Sequence, residues 1–186
     1  NPSDQRQVNF LTEGNLTTNF DVRLIPDREY TFVAWADKVD VQDDVDKFYN
    51  TEDLKNVTLI ANTWEAMNEG RDAFTATHTE RNFTSVSNIT LELKRPFAKL
   101  RVVTTDMEAL RYWNIEPTTA TVSYTTPHYT GFNAYEGMAI DRSKNYVEHR
   151  NYTIHTYTNE DNQNVKTLFT DYFFAKEDVV KFEFEV

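Results

Sequence analysis

The chain has 186 residues and a formal net charge of −11, a length that suits one domain of ordinary size or two small ones. This acidity argues against the basic footprint on which binding to nucleic acid or an anionic membrane rests. The lack of cysteine excludes disulfide frameworks, thiolate zinc sites and cysteine nucleophiles.

Thr, Val, Phe, Tyr, Ile and Trp supply 73 of the 186 residues. Side chains that branch at Cβ or carry rings fit a pleated surface and lose rotamer freedom in a helix, so an all-β chain is the expectation. No apolar run is long enough to span a bilayer as a helix. The chain starts without Met or a signal-like apolar region, which reads as a mature or trimmed piece of an exported protein.

In chain order, residues 1–20 are polar and read as a flexible segment with one apolar patch at Val8, Phe10 and Leu11. Val22 and Leu24 alternate with Arg23 ahead of a Pro26-Asp27 turn. Tyr30 to Ala36 is the first strong strand, apolar on both faces. The acidic stretch from Asp37 to Asp53 has no strand period and predicts a surface loop, with one helical turn at Thr51 to Leu54. A short strand at Val57 to Ile60 follows, and Asn62 with Glu65 predicts a helical turn near Trp64 to Asn68.

Asp72 to Thr79 is extended. Ile89, Leu91 and Leu93 alternate with polar residues, as do Ala98, Leu100 and Val102, with Pro96 marking a bend between these two predicted strands. Thr105 and Glu108 form a capping box for a short helix from Asp106 to about Tyr112. Strands are predicted at Thr119 to Tyr124, around Tyr152 and Ile154, at Leu168 to Ala175 and at Val180 to Val186. Roughly seven to nine alternating strands without βαβ alternation predict a two-sheet β-sandwich, with residues 21–186 as a single domain.

Five segments, in order, carry a resemblance. They are Tyr30-Thr31-Phe32-Val33-Ala34-Trp35-Ala36-Asp37, Leu54 to Leu59, Arg71-Asp72-Ala73-Phe74, Lys94-Arg95-Pro96-Phe97-Ala98-Lys99-Leu100 and Thr170-Asp171-Tyr172-Phe173-Phe174-Ala175. Together the set resembles the fimbrillin-type surface proteins of the Bacteroidetes. The resemblance implies a transthyretin-like sandwich forming the N-terminal domain of a longer two-domain fimbrial subunit. It also implies export as a lipoprotein, trimming by a surface protease, and a place at the cell surface. Its partners would be other fimbrial subunits, joined by strand donation, or a second domain of the same chain, with host or bacterial surface ligands beyond them. Shaft, anchor and tip subunits are not separated by these motifs.

A donated strand satisfies an open sheet edge through main-chain hydrogen bonds and fills pockets with alternate side chains. Val180, Phe182, Phe184 and Val186 make such an apolar comb, for which ordinary intradomain core is the competing reading. Val8 and Phe10 are a second donor candidate.

The sequence has no Gly-x-Ser-x-Gly elbow, His-Glu-x-x-His motif or phosphate loop, so no catalytic role and no cofactor are expected. His78, His128, His149 and His155 share no ligand spacing, and the aspartates from 37 to 46 lack the order of a calcium loop. The rival function is a secreted carbohydrate-binding sandwich, in which Trp35, Trp113 or Tyr129, with Trp64, would stack on sugar rings. The five Asn-x-Thr sequons, at Asn15, Asn56, Asn82, Asn88 and Asn151, match the chance level in a chain rich in both residues. An immunoglobulin-like ectodomain lacks its Cys-Trp-Cys framework here.

Overall fold

The computed structural model describes residues 14, 16–40, 45–60, 63, 65–81, 88–142, 148–154, 164–177 and 179–186. Among them, strands pair only antiparallel, and one short helix, α1 (Met107–Tyr112), interrupts them. The fold is an all-β sandwich.

Its centre is a six-stranded sheet ordered β4 (Tyr49–Asn50), β5 (Val57–Leu59), β9 (Tyr129–Asn133), β12 (Lys166–Phe174) and β7 (Phe97–Thr104), with β10 (Met138–Arg142) branching from β9. All nine residues of β12 are buried, as expected of a strand covered on both faces. On one side Phe174 and Phe97 join Tyr49, Val57 and Phe132 beneath β1 (Tyr30–Asp37) and β6 (Ala73–Glu80), which pair in a sheet of their own. On the other side Phe169 and Phe173, with Ala98, Leu100 and Val102 of β7, pack against the sheet of β11 (Glu148–Thr153), β8 (Thr119–Tyr124) and β13 (Phe182–Glu185). A two-residue ladder, β2 (Val39–Asp40) with β3 (Val45–Asp46), makes a fourth, minor sheet.

Trp35 shows why β1 reads as apolar on both faces. Its ring meets Tyr49 edge-on at 5.6 Å and Phe97 at 6.5 Å, so it clamps β1 onto the central sheet. The neighbouring β9–β10 hairpin needs Gly137 at its turn, where φ is +67°. Gly131 lies within it, opposite Ile140: a Cβ there would come within 3.1 Å of Ile140 and 3.3 Å of the Val57 carbonyl.

Several expectations are corrected. The acidic stretch from Asp37 to Asp53 is not simply a surface loop: it contains β2, β3 and β4, and Phe48 and Tyr49 are core residues. Two aromatic side chains outweigh the surrounding charge because burying them removes large apolar areas from water. Residues 51–54 form no helix. Side-chain turns at Asn50 and Asp53 take up the amides of Glu52 and Lys55 instead. The helical turn forms later than expected, as a 3-10 turn at Glu69–Arg71 capped by Asn68, while Asn62 and Trp64 lie outside the described residues.

Ile89, Leu91 and Leu93 do not form a strand. The segment touches β6 through one bridge, Lys94 to Thr75, and Leu93 remains exposed. Alternation alone cannot supply a neighbour, and a strand needs one. The Thr105–Glu108 capping box also does not form. Asp106 is the N-cap without a side-chain cap bond, and Asn164, just before β12, receives the amides of Met107 and Glu108. The β9–β10 hairpin was not expected.

Candidate functional site

β13 occupies one end of its sheet. Its register on β8 sets Phe182 opposite Tyr124 and Phe184 opposite Val122, while its other side has no partner strand among the described residues. Backbone bonds fix its entry, with Thr125 donating to the Lys181 carbonyl and the Lys181 amide donating to Thr126 Oγ1. Val180, Phe182 and Phe184 are half-buried and pack into the cluster of Val122, Tyr124, Phe169 and Phe173. The two phenylalanine rings lie 6.3 Å from Tyr124 and 6.4 Å from Phe169 respectively. Val186 extends past this contact and is exposed. Three members of the comb therefore cover the core and the fourth does not. Val8 and Phe10 lie outside the described residues.

Beneath this strand is a buried polar cluster. Arg71, at the end of the 3-10 turn, donates to Asp171 Oδ1 at 2.5 Å and to the Tyr172 carbonyl at 2.8 Å. Tyr49 donates to the Arg71 carbonyl at 2.6 Å, and Tyr124 donates to Asp171 Oδ2 at 2.6 Å. His149 Nε2 sits 3.5 Å from the same carboxylate, and His128 lies against Tyr124 and Phe173. Burial works against the Asp171 charge, but His149, Arg71 and Tyr124 outweigh it and hold the carboxyl below its ordinary range. Burial lowers His128 to about 4, so it stays neutral at pH 7. The cluster ties five elements together: the 3-10 turn, β4, β8, β11 and β12. Its donors face acceptors, and the Arg71–Asp171 contact is a buried ion pair that links distant parts of the fold.

One concavity among the described residues is an open basin of about 490 Å³, lined by Ala36, Asp37, Lys38, Glu69, Asp72 and Phe74. Arg95 neutralises Asp72 at 2.6 Å and Lys99 neutralises Glu69 at 2.7 Å. Burial raises Asp37 to about 6, with Trp35 opposing and Asp46 adding to the rise. Among the described residues no three His, Cys, Asp or Glu side chains gather as a metal site.

The aromatic candidates separate. Trp35 belongs to the first core, and Tyr129 packs at its margin with the Lys176 ammonium 5.8 Å from its ring. Trp113 is 72% exposed and Tyr112 81% exposed; the two rings meet at 5.2 Å and 88°, forming an open corner at the end of α1.

Compared with known proteins, residues 2–186 match the model of a family of unknown function (DUF6562). The chain belongs to that family. No curated protein and no solved structure matches it. For this member of the family, the ion pair is the feature that residue-by-residue reading missed. Both partners lie inside quoted motifs, Arg71 in Arg71-Asp72-Ala73-Phe74 and Asp171 in Thr170-Asp171-Tyr172-Phe173. A charge set within an otherwise apolar strand was the available signal, since a buried charge requires a partner.

Proposed function

We propose that this chain is a structural subunit of a bacterial cell-surface fibre, acting outside the cell and joining its neighbours by strand donation. The observation that carries this reading is β13, an edge strand at the end of its sheet whose alternate side chains cover a hydrophobic core. Full burial of a side chain such as Phe is worth about 1.5–3 kcal/mol, and half-buried ones contribute less. An equivalent strand from another copy offers the same main-chain bonds and the same two rings. The resemblance to fimbrillin-type proteins supports the same assignment, with other subunits as partners and no catalytic step.

The test is a variant lacking residues 180–186, titrated with a labelled peptide of residues 179–186. One-to-one binding that is lost when the peptide carries Phe182→Asp and Phe184→Asp is the expected result. A folded truncated variant that ignores the peptide refutes strand donation through this edge.

The Tyr112–Trp113 corner favours a second reading, a carbohydrate-binding module. Exposed ring faces stack on the apolar faces of sugars, and here one ring is free to lie beneath a sugar while the other flanks it.

A further inference from the structure

Two sheet edges of this molecule carry opposite charge patterns. β13 presents Glu183 and Glu185 outward, alternating with the inward Phe182 and Phe184. β7 ends the central sheet and presents Lys99, Arg101 and Val103 on one face, with Ala98, Leu100 and Val102 on the core face. Neither strand has a second partner strand among the described residues.

We propose that the β7 edge of one copy docks antiparallel on the β13 edge of a second copy. With Glu185 opposite Lys99, Glu183 falls opposite Arg101, Phe184 opposite Leu100 and Phe182 opposite Val102. In these four pairs each charge meets its opposite and each apolar residue meets an apolar one, on matching faces of the joined sheet. The alternatives are disfavoured. Paired with itself, β13 sets glutamates beside glutamates, and β7 paired with itself sets cations beside cations.

Lys99 already lies 2.7 Å from Glu69, and Arg101 bonds to Thr167 of β12, so docking brings Glu185 and Glu183 to cations that already have a partner within their own copy. Because the two edges are different surfaces, the contact is head-to-tail. Unless its rotation closes a ring, it propagates as a filament. The inference rests on the assembly reading above, but β13 stays in its own sheet.

Sedimentation velocity on the intact chain, over a rising concentration series, tests it. The wild type should show a sedimentation coefficient that grows with concentration. Glu183→Lys with Glu185→Lys should abolish the growth, as should Lys99→Glu with Arg101→Glu. The fourfold reversal, which restores the net charge of −11, should recover it. Reversal at Glu136 and Glu177, exposed positions outside both strands, should leave growth in place. Circular dichroism checks that each variant is folded, and if loss of the Lys99–Glu69 pair unfolds one, the Glu183/Glu185 variant decides alone. A wild type that stays monomeric throughout, or reversed edges that associate like wild type, overturns the proposal. Peptide uptake by the truncated chain without this association refutes edge docking while sparing strand donation.

Discussion

Arg71 and Asp171 stand 100 positions apart in the sequence, yet their side chains meet at 2.5 Å with 1% and 0% of their surfaces exposed. The pair joins the 3-10 turn ahead of β6 to β12, a strand buried along its whole length, and Tyr124 extends it into the sheet of β8. Removing one member leaves the other charge buried and unmatched. Arg71→Met alone or Asp171→Leu alone should each cost about 3–5 kcal/mol by urea denaturation. The double variant should cost clearly less than the sum of the two. Additive losses would show that the residues act independently.

Acid should weaken the fold through His128. Its folded pKa, about 4, lies below the ordinary value of 6.5, so the unfolded chain binds the extra proton between those values. Stability from this residue is complete above about pH 6.5 and is lost as pH falls towards 4, by at most about 3 kcal/mol. His128→Gln should flatten that part of the stability curve, as followed by thermal melts at stepped pH.

Asp37 acts with the opposite sign. Its pKa is raised to about 6 in the folded chain, above the ordinary 3.8, so the folded state holds the extra proton between these values and gains stability as pH falls through that window. At pH 7 the buried anion costs the fold about 1–2 kcal/mol, allowing for its partial exposure. Asp37→Asn should therefore raise the melting temperature at pH 7 and have little effect at pH 4. A lower melting temperature at pH 7 would show that the carboxylate is held by favourable contacts.

Trp113→Ala should change stability by less than about 0.5 kcal/mol, since the ring is largely exposed. On a glycan array the same substitution separates the two functional readings. Sugar binding that disappears with the ring supports the carbohydrate module, and an array without binding by the wild type removes that reading's main support.

Gly131→Ala should destabilise the chain by about 1–3 kcal/mol. The added methyl group meets the Ile140 side chain and the fixed Val57 carbonyl, and only the first of these can move aside. Denaturant midpoints for wild type and variant measure the effect.

The sequence by itself determined the β character and most of the strands. Thr119 to Tyr124 and Phe97 to Thr104 alternate with period two, and one-sided burial imposes that period wherever a strand has a single core face. It also showed Phe182 and Phe184 as a comb on one face. Tertiary structure decided what no period encodes. Ile89 to Leu93 alternate as well as any strand but pair with no strand among the described residues, whereas Phe48 and Tyr49 sit in an acidic stretch and become core because the β1–β6 sheet packs over the central sheet at that place. The division into separate sheets, the ion pair between Arg71 and Asp171, and the sides of β7 and β13 that have no partner strand among the described residues have the same origin. Periodicity reports which way a side chain points, whereas partners depend on segments brought together from distant parts of the chain.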